Sequence, residues 1–312
     1  MAISEFGLIQ RFFTTPLIVN PVNKLGVGDD CALMSIPDGY ELAVTVDTMV
    51  EGVHFFAGAN PEQLGRKLLA VNLSDLAAMG ATPVSVTLAL TLPEVNESWL
   101  QAFSQGFLDL AKSYSIDLVG GDTTKGPLTL TVQAMGLVPK GKALKRSGAK
   151  VGDLIFVTGS GLGDSGLGLK VEQGYSCEYS EWVLQKFHTP GPRVSEGIEI
   201  RQYASSCIDL SDGLASDLPH ILEKSSVGAT LDWDKLPLSK AVKQYVELTG
   251  DWAMPLTAGE DYELCFTVAP ADLDAINIEC TQVGVIEPLE GLRVRRMGNI
   301  DKLEVTGFEH FR

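Results

Sequence analysis

The chain has 312 residues, room for about two ordinary domains, and 45% of them are hydrophobic, which excludes a disordered polypeptide. With 24 basic against 40 acidic residues, the formal net charge is −16. That balance argues against nucleic-acid and anionic-membrane partners, though not against an anionic ligand held through a metal ion. Five scattered cysteines (Cys31, Cys177, Cys207, Cys265, Cys280) form no CxxC pair, so neither a zinc site nor a disulfide framework is indicated. The N-terminus, MAISEFGLIQRFF, lacks a basic segment followed by a long apolar run, and no stretch has membrane-spanning length. A cytoplasmic, reducing setting is the expectation.

Residues 1–14 read as a short helix with Phe6, Ile9 and Phe13 on one side. A loop rich in Pro and Asn leads to LGVGDDCALM, and LAVTVDT at 42–48 alternates like a strand. After a loop with Gly52 and His54, PEQLGRKLLAVNLSDLAAMGA at 61–81 reads as an amphipathic helix closed by Gly80. Leu64, Leu68, Val71 and Met79 mark its apolar face, and Asp75 falls on the same face. A carboxylate there is costly unless it is paired, hydrogen-bonded or bound to a cation. The β-branched run 84–92 is a strand, 97–114 a helix with Leu100, Phe103, Phe107 and Leu110 on one face. A short strand at 116–119 running into GGDTT and another at 128–138 complete this half. Its alternation of strands and helices predicts an α/β sandwich with helices over one sheet face.

Composition changes at KGKALKRSGAKVGD, residues 140–153, a basic connection in an acidic chain, where the domain boundary is expected. The second half opens with a strand at 154–158 and the glycine-rich GSGLGDSGLGL entering a helix. Helices are expected over 179–187, 193–204 and 213–223, and strands over 206–210, 229–233, 262–268, 282–286 and 292–296.

Acidic residues recur beside glycine at the predicted strand ends: Asp29 and Asp30, Asp47, Asp122, Asp209 and Asp212, Glu260 and Asp261. Any one of these is an ordinary turn; taken together with Asp75, so many carboxylates call for a cation. All the donors are oxygens, which favours magnesium over zinc. In the basic connection, Arg146 is either a two-pronged phosphate contact or part of a solvated linker. His54 either contacts a phosphate or caps the following helix. GSGLGDSGLGL lacks a Walker lysine and is read as a packing turn. Phe308 and Phe311 close the chain.

In order, GVGDDCA, TVDT with VEGVHF, NLSDLAAMGA, GGDTT, LKRSGAKVGD, IDLSDGL and GEDYEL closely resemble the thiamine-monophosphate kinase family, in the superfamily of aminoimidazole ribonucleotide synthetase-like ATP enzymes. The resemblance runs from EFGLI to GFEHF, nearly the whole chain. It implies Mg2+-dependent transfer of the γ-phosphoryl group of ATP onto thiamine phosphate. It also implies an α+β fold of two domains. Residues 1–145 would form an N-terminal ATP/Mg-binding and dimerisation sandwich whose sheet pairs across a homodimer into a β-barrel. Residues 146–312 would form a C-terminal α+β domain, with helices on a mixed sheet, completing the nucleotide and substrate site. By the same likeness Asp30, Asp47, Asp75, Asp122 and Asp209 would hold magnesium, with Thr45, Val46 and Asp212 assisting. Gly121, Asp122, Arg146 and Ser211 would contact ATP, and His54, Glu260 and Phe308 the thiamine phosphate. Two positions depart from the family pattern: Val46 stands where many relatives carry Thr, and Phe308 where a Tyr occurs. A selenophosphate synthetase, from the same superfamily, is disfavoured because no cysteine precedes Cys31.

Overall fold

The computed structural model describes residues 5–14 and 19–301. These fall into two compact units: one takes in the described residues up to Leu76 with Ala81–Gly141, the other Ala77–Gly80 with the described residues from Lys142 onward. The break thus falls within the basic connection.

In the first unit the order is α1 (Glu5–Phe12), β1 (Asn23–Leu25), β2 (Leu33–Met34), β3 (Tyr40–Val50), α2 (Pro61–Ala78, its last two residues counted with the second unit), β4 (Thr82–Leu92), α3 (Glu97–Ser113), β5 (Asp117–Lys125) and β6 (Thr129–Pro139). A four-stranded sheet runs β3-β6-β4-β5, antiparallel except for the parallel β4–β5 pair. Along β4 the residues Val86, Leu88, Leu90 and Leu92 are all buried, as is β6's Leu130, Val132 and Ala134 row. The face carrying Thr45 and Asp47 is the one that meets α2. In α1 the buried residues are Leu8 and Phe12, with Phe13 buried just beyond its end, while the expected Ile9 is only half-buried; the side chain of Phe6 lies outside the described residues.

The two long helices of this unit, α2 and α3, teach opposite lessons. In α3, Leu100, Phe103, Phe107 and Leu110 are buried as their spacing predicts, each contributing about 1.5–3 kcal/mol of transfer free energy. Its start is capped by Asn96, whose Oδ1 accepts the Trp99 N–H at 3.1 Å. By contrast α2 is not a one-faced amphipathic helix: Leu68, Leu69, Ala70, Leu73, Leu76 and Ala77 are all sealed, so apolar residues go nearly all round. Met79 lies beyond its end and is exposed, a correction to the expected face. Close packing of α2 on α3 rests on glycine. A Cβ on Gly106 would lie 1.9 Å from the Glu62 carbonyl oxygen, and one on Gly65 2.2 Å from that of Phe103.

On the opposite sheet face Val22, Val84, Val119, Met135 and Leu137 form a small cluster with Ala32 and Met34. The segment covering it is tied by buried Asp117, whose carboxylate accepts the N–H groups of Val19 and Asn20 at 2.8 and 2.9 Å and the Asn23 amide at 2.7 Å.

The second unit contains β7 (Leu154–Thr158), α4 (Asp164–Glu172), α5 (Ser180–His188), α6 (Val194–Ile200), β8 (Ala204–Asp209), α7 (Leu214–Ser225), β9 (Gly228–Asp232), α8 (Lys240–Thr249), α9 (Met254–Thr257), β10 (Leu264–Val268), β11 (Cys280–Glu287), β12 (Gly291–Arg296) and β13 (Asn299–Asp301). Its sheet runs β13-β12-β9-β11-β7-β10-β8, and only β12–β9 is parallel, so it is mixed as expected. Its core gathers Ile155, Val157, Leu167, Val183, Leu214, Leu218, Ile221 and Val242.

Several expected boundaries move in this unit. The helix expected over 193–204 stops at Ile200, and β8 begins at Ala204. Strand β10 begins at Leu264 rather than Tyr262, because Tyr262 has φ +50°, outside the β region. Helix α8, where the sequence reading places no element, is bounded by Ser239, whose Oγ accepts the Val242 N–H at 3.2 Å, and by left-handed Gly250.

Candidate active site

In the first unit the candidate residues are laid out by strand alternation. Along β3, Thr45 and Asp47 are half-buried and face α2, while Val46 points to the other face and is exposed. Asp75, near the end of α2, accepts the Thr45 hydroxyl through Oδ2. One turn earlier, Asn72 accepts the Asp47 N–H at 3.1 Å. Asn72 escaped the sequence reading; its only signal is a polar residue three positions before Asp75, on a helix whose flanking Val71 and Leu73 are apolar.

Asp47 and Asp122 do not sit in strand-end loops as expected. Asp47 is three residues inside β3, and GGDTT lies within β5, not beyond it. The strand continues because glycine permits it: a Cβ on Gly121 would lie 1.9 Å from the Leu88 carbonyl oxygen of β4. By register Asp122 shares a face with Ala89 and Thr131, whereas Asp47 pairs with Val132 on the other face. Asp29 and Asp30 are exposed in their loop, with the Asp30 N–H on Asp29 Oδ1 at 3.0 Å. Cys31 beside them is free and exposed, while Cys207 and Cys265 are free and buried.

His54 closes the loop after β3. Its N–H donates to the Val50 carbonyl at 3.0 Å and its Nδ1 accepts the Val50 N–H at 3.1 Å, which puts the proton of the neutral ring on Nε2. It does not cap α2. Asn60 does, accepting from Glu62 and Gln63 at 2.9 and 3.2 Å, with Pro61 in the first helical position.

In the second unit, DLSDG and GEDYE are bound to one another. Leu210 donates to the Glu263 carbonyl at 2.8 Å, Tyr262 to that of Leu210 at 2.9 Å, and Glu260 to that of Ser211 at 2.8 Å. Glu260 and Tyr262 hold φ values of +72° and +50°, a backbone that side chains rarely adopt and that clusters at functional sites. Asp209, the last residue of β8, is buried; Ser211, Asp212 and Glu260 are half-buried. The Asp212 N–H donates to Asp217 Oδ2 at 3.0 Å. Burial pushes the Asp217 carboxyl up to about 8; the bond from Asp212 opposes the shift, the Asp212 and Asp209 charges add to it, and Arg146 opposes it. Asp217 also escaped the sequence reading, because an acidic residue in the first turn of a helix looks like a routine dipole partner.

Arg146 lies in an exposed, irregular segment whose main chain is nonetheless tied down. The Lys145 carbonyl accepts the Cys207 N–H at 2.9 Å, and Ser225 Oγ accepts from Gly148 and Ala149 at 3.1 and 3.2 Å, so the basic segment lies along β8 with the Arg146 side chain exposed. GSGLGDSGLGL is a packing turn, as read. Asp261 takes the N–H groups that a phosphate would need, from Gly163 at 2.6 Å and Ser165 at 3.1 Å. A Cβ on Gly166 would lie 2.2 Å from that of Ala258. Asp261 is thereby a helix cap rather than a member of the ligand set.

Among the described residues, no three or more His, Cys, Asp and Glu side chains stand together in a group that could hold a metal ion. Phe308 lies outside the described residues.

This two-unit fold with acidic strand and turn residues matches AIR synthase related proteins: their N-terminal domain over residues 28–138 and their C-terminal domain over 150–295. Within that class, the thiamine-monophosphate kinase of Escherichia coli K12 is 45% identical over 323 residues, covering 100% of this chain and 99% of its own. A crystal structure of thiamine-monophosphate kinase from Stenotrophomonas maltophilia aligns at a TM-score of 0.82 with 42% identity, over 88% of this chain and 91% of that one. The structure of AaThiL complexed with AMPPCP and TMP aligns at 0.80 with 31% identity, over 99% and 97%. The chain belongs to the thiamine-monophosphate kinase family.

Proposed function

We propose that this protein transfers the γ-phosphoryl group of ATP directly onto thiamine phosphate, giving thiamine diphosphate, with Mg2+ as cofactor. The observation that carries the reading is full-length 45% identity to a thiamine-monophosphate kinase. It is supported by a similar fold that accommodates AMPPCP and TMP together.

The acceptor is itself a phosphate, largely ionised at neutral pH because its second pKa is about 6. It needs no general base, and none is assigned. The physical obstacle is repulsion between two polyanions. Arg146 is suited to fork onto phosphate oxygens, and the Ser211 hydroxyl and the Gly121–Asp122 main chain supply further contacts to ATP. His54, with its proton on Nε2, is suited to donate to the acceptor phosphate. Glu260, on its strained backbone, and Phe308 are assigned to the thiamine moiety.

The donor set fits magnesium. Asp30, Thr45, Val46 through its carbonyl, Asp47, Asp75, Asp122, Asp209 and Asp212 offer oxygen alone. Magnesium is ordinarily held by one or two carboxylates plus substrate phosphates rather than by a cage of protein donors. When bound it neutralises phosphate charge and orients the oxygens.

A homodimer is part of the reading. It is supported by Tyr40, Leu42, Val44 and Val46, all exposed on one face of β3, which is an edge strand. Five free cysteines support a reducing, cytoplasmic setting.

The test is ADP release with ATP, Mg2+ and thiamine phosphate, with free thiamine as control acceptor. Turnover confined to thiamine phosphate is expected, and ADP release with either acceptor alike would overturn the assignment. With a chiral γ-phosphate, inversion is expected; retention would require a phosphoenzyme.

A further inference from the structure

Asn72 is polar and fully buried, 0% exposed, in the middle of an apolar helix. A side-chain amide in that position is destabilising unless its groups are bonded. Both ends are. Nδ2 donates to the Leu68 carbonyl one turn back at 3.0 Å, and Oδ1 accepts the Asp47 N–H at 3.1 Å. The orientation of the amide follows, because a carbonyl only accepts and an N–H only donates.

The first bond is local and fixes the side chain on its own helix. The second reaches 25 residues back to β3. There it does what a neighbouring strand would do in mid-sheet, since β3 is an edge strand with β6 as its one ladder partner in that sheet. Three residues further along α2, Asp75 accepts the hydroxyl of Thr45. Positions i and i+3 share a helix face, and i and i+2 share a strand face. So α2 grips β3 at two points, one on each side of Val46, and the two contacts set the register between the carboxylates of Asp75 and Asp47.

We propose that Asn72 is a positioning residue: it fixes the main chain at Asp47 so that the Asp47 carboxylate keeps its place relative to Asp75 for a divalent cation. This rests on the magnesium reading above. Leucine fills nearly the same volume without an acceptor. Aspartate keeps the acceptor for Asp47 and loses the donor for Leu68.

The test compares full-length wild type, Asn72→Leu and Asn72→Asp. Mn2+ binding is measured calorimetrically without nucleotide. Turnover gives the half-saturating Mg2+ concentration and the KM for thiamine phosphate. Loss of an outer-sphere partner typically costs roughly 10–100-fold in metal affinity or activity. Asn72→Leu is therefore expected to weaken Mn2+ binding and raise the half-saturating Mg2+ by about that factor, leaving the KM for thiamine phosphate at saturating Mg2+ unchanged. Asn72→Asp, with its acceptor intact, is expected to bind Mn2+ no more weakly than wild type. A folded Asn72→Leu within about twofold of wild type in both metal readouts would overturn the proposal, measured against that 10–100-fold scale. So would an Asn72→Asp variant as weak as Asn72→Leu. If Asn72→Leu does not fold, Asn72→Asp alone decides; if neither folds, Asn72 belongs to the fold and the proposal fails. A wild type with no affinity for Mn2+ and no Mg2+ dependence would instead sink the magnesium reading itself.

Discussion

Asp75 poses the sharpest question at the scale of single residues, because it is a carboxylate on a helix that is apolar nearly all round. Its bond from the Thr45 hydroxyl is one that an amide oxygen also accepts. Asp75→Asn is therefore expected to keep the fold, with a melting temperature near that of wild type, and to lose activity by at least about 100-fold, beyond the range of outer-sphere changes. Near-normal ADP release from that variant would refute its role as a ligand. Asp261 gives a prediction in pH. Burial raises its carboxyl from 3.8 to about 8, against the two N–H bonds and with Asp164 and Glu263 adding. The native state then binds more protons than the unfolded chain between those values, so this group's contribution to stability is present at low pH and lost as pH rises through about 8. Asp261→Asn does not titrate. Its deficit in urea midpoint relative to wild type should shrink from pH 5 to pH 8, on the scale of those two limits; a deficit that grows would show the sign to be wrong. The acidic residues beside glycine were legible in the sequence because that pairing is conspicuous. Asn72 and Asp217 were not, since an asparagine within a helix and an acid in a first turn each have an ordinary explanation.

Elements that declare themselves by side-chain type, such as the β-branched run of β4 and the spaced aromatics of α3, were readable from the sequence alone. The helix α2 was only half readable. Its period marks an apolar face, but complete burial depends on α3 and the sheet, which no local pattern reports. The positive φ of Tyr262 is likewise a tertiary effect, imposed by its bond to Leu210, with no local sign. The α2–α3 contact sets helix propensity against packing. Gly106→Ala gains up to about 1 kcal/mol in propensity. It also forces a methyl to within 1.9 Å of the Glu62 carbonyl oxygen, an overpacking that typically costs about 1–3 kcal/mol. Net destabilisation in urea titration is the expected result, and a stabilised variant would mean that the helices separate freely.

For the whole molecule, two domains were legible in the length of the chain, and the alternation of elements announced a sandwich in the first half. The proposed dimer rests on family likeness, and the exposed row on β3 gives it a physical test. Val44 is 53% exposed, so Val44→Lys leaves the core of its own chain intact. Light scattering after size exclusion should show the wild type as a dimer and the variant shifted to monomer; an unshifted dimer would place the interface elsewhere.

The contrast among the cysteines has a practical consequence. Cys207 and Cys265 are sealed inside, whereas Cys31 is open to solvent one residue from Asp30. A small maleimide dye will therefore attach first at Cys31, and on the function proposed above its emission should change when ATP and Mg2+ are added. The protein carries its own labelling handle at the place most worth watching, and no cysteine need be engineered to follow binding in real time.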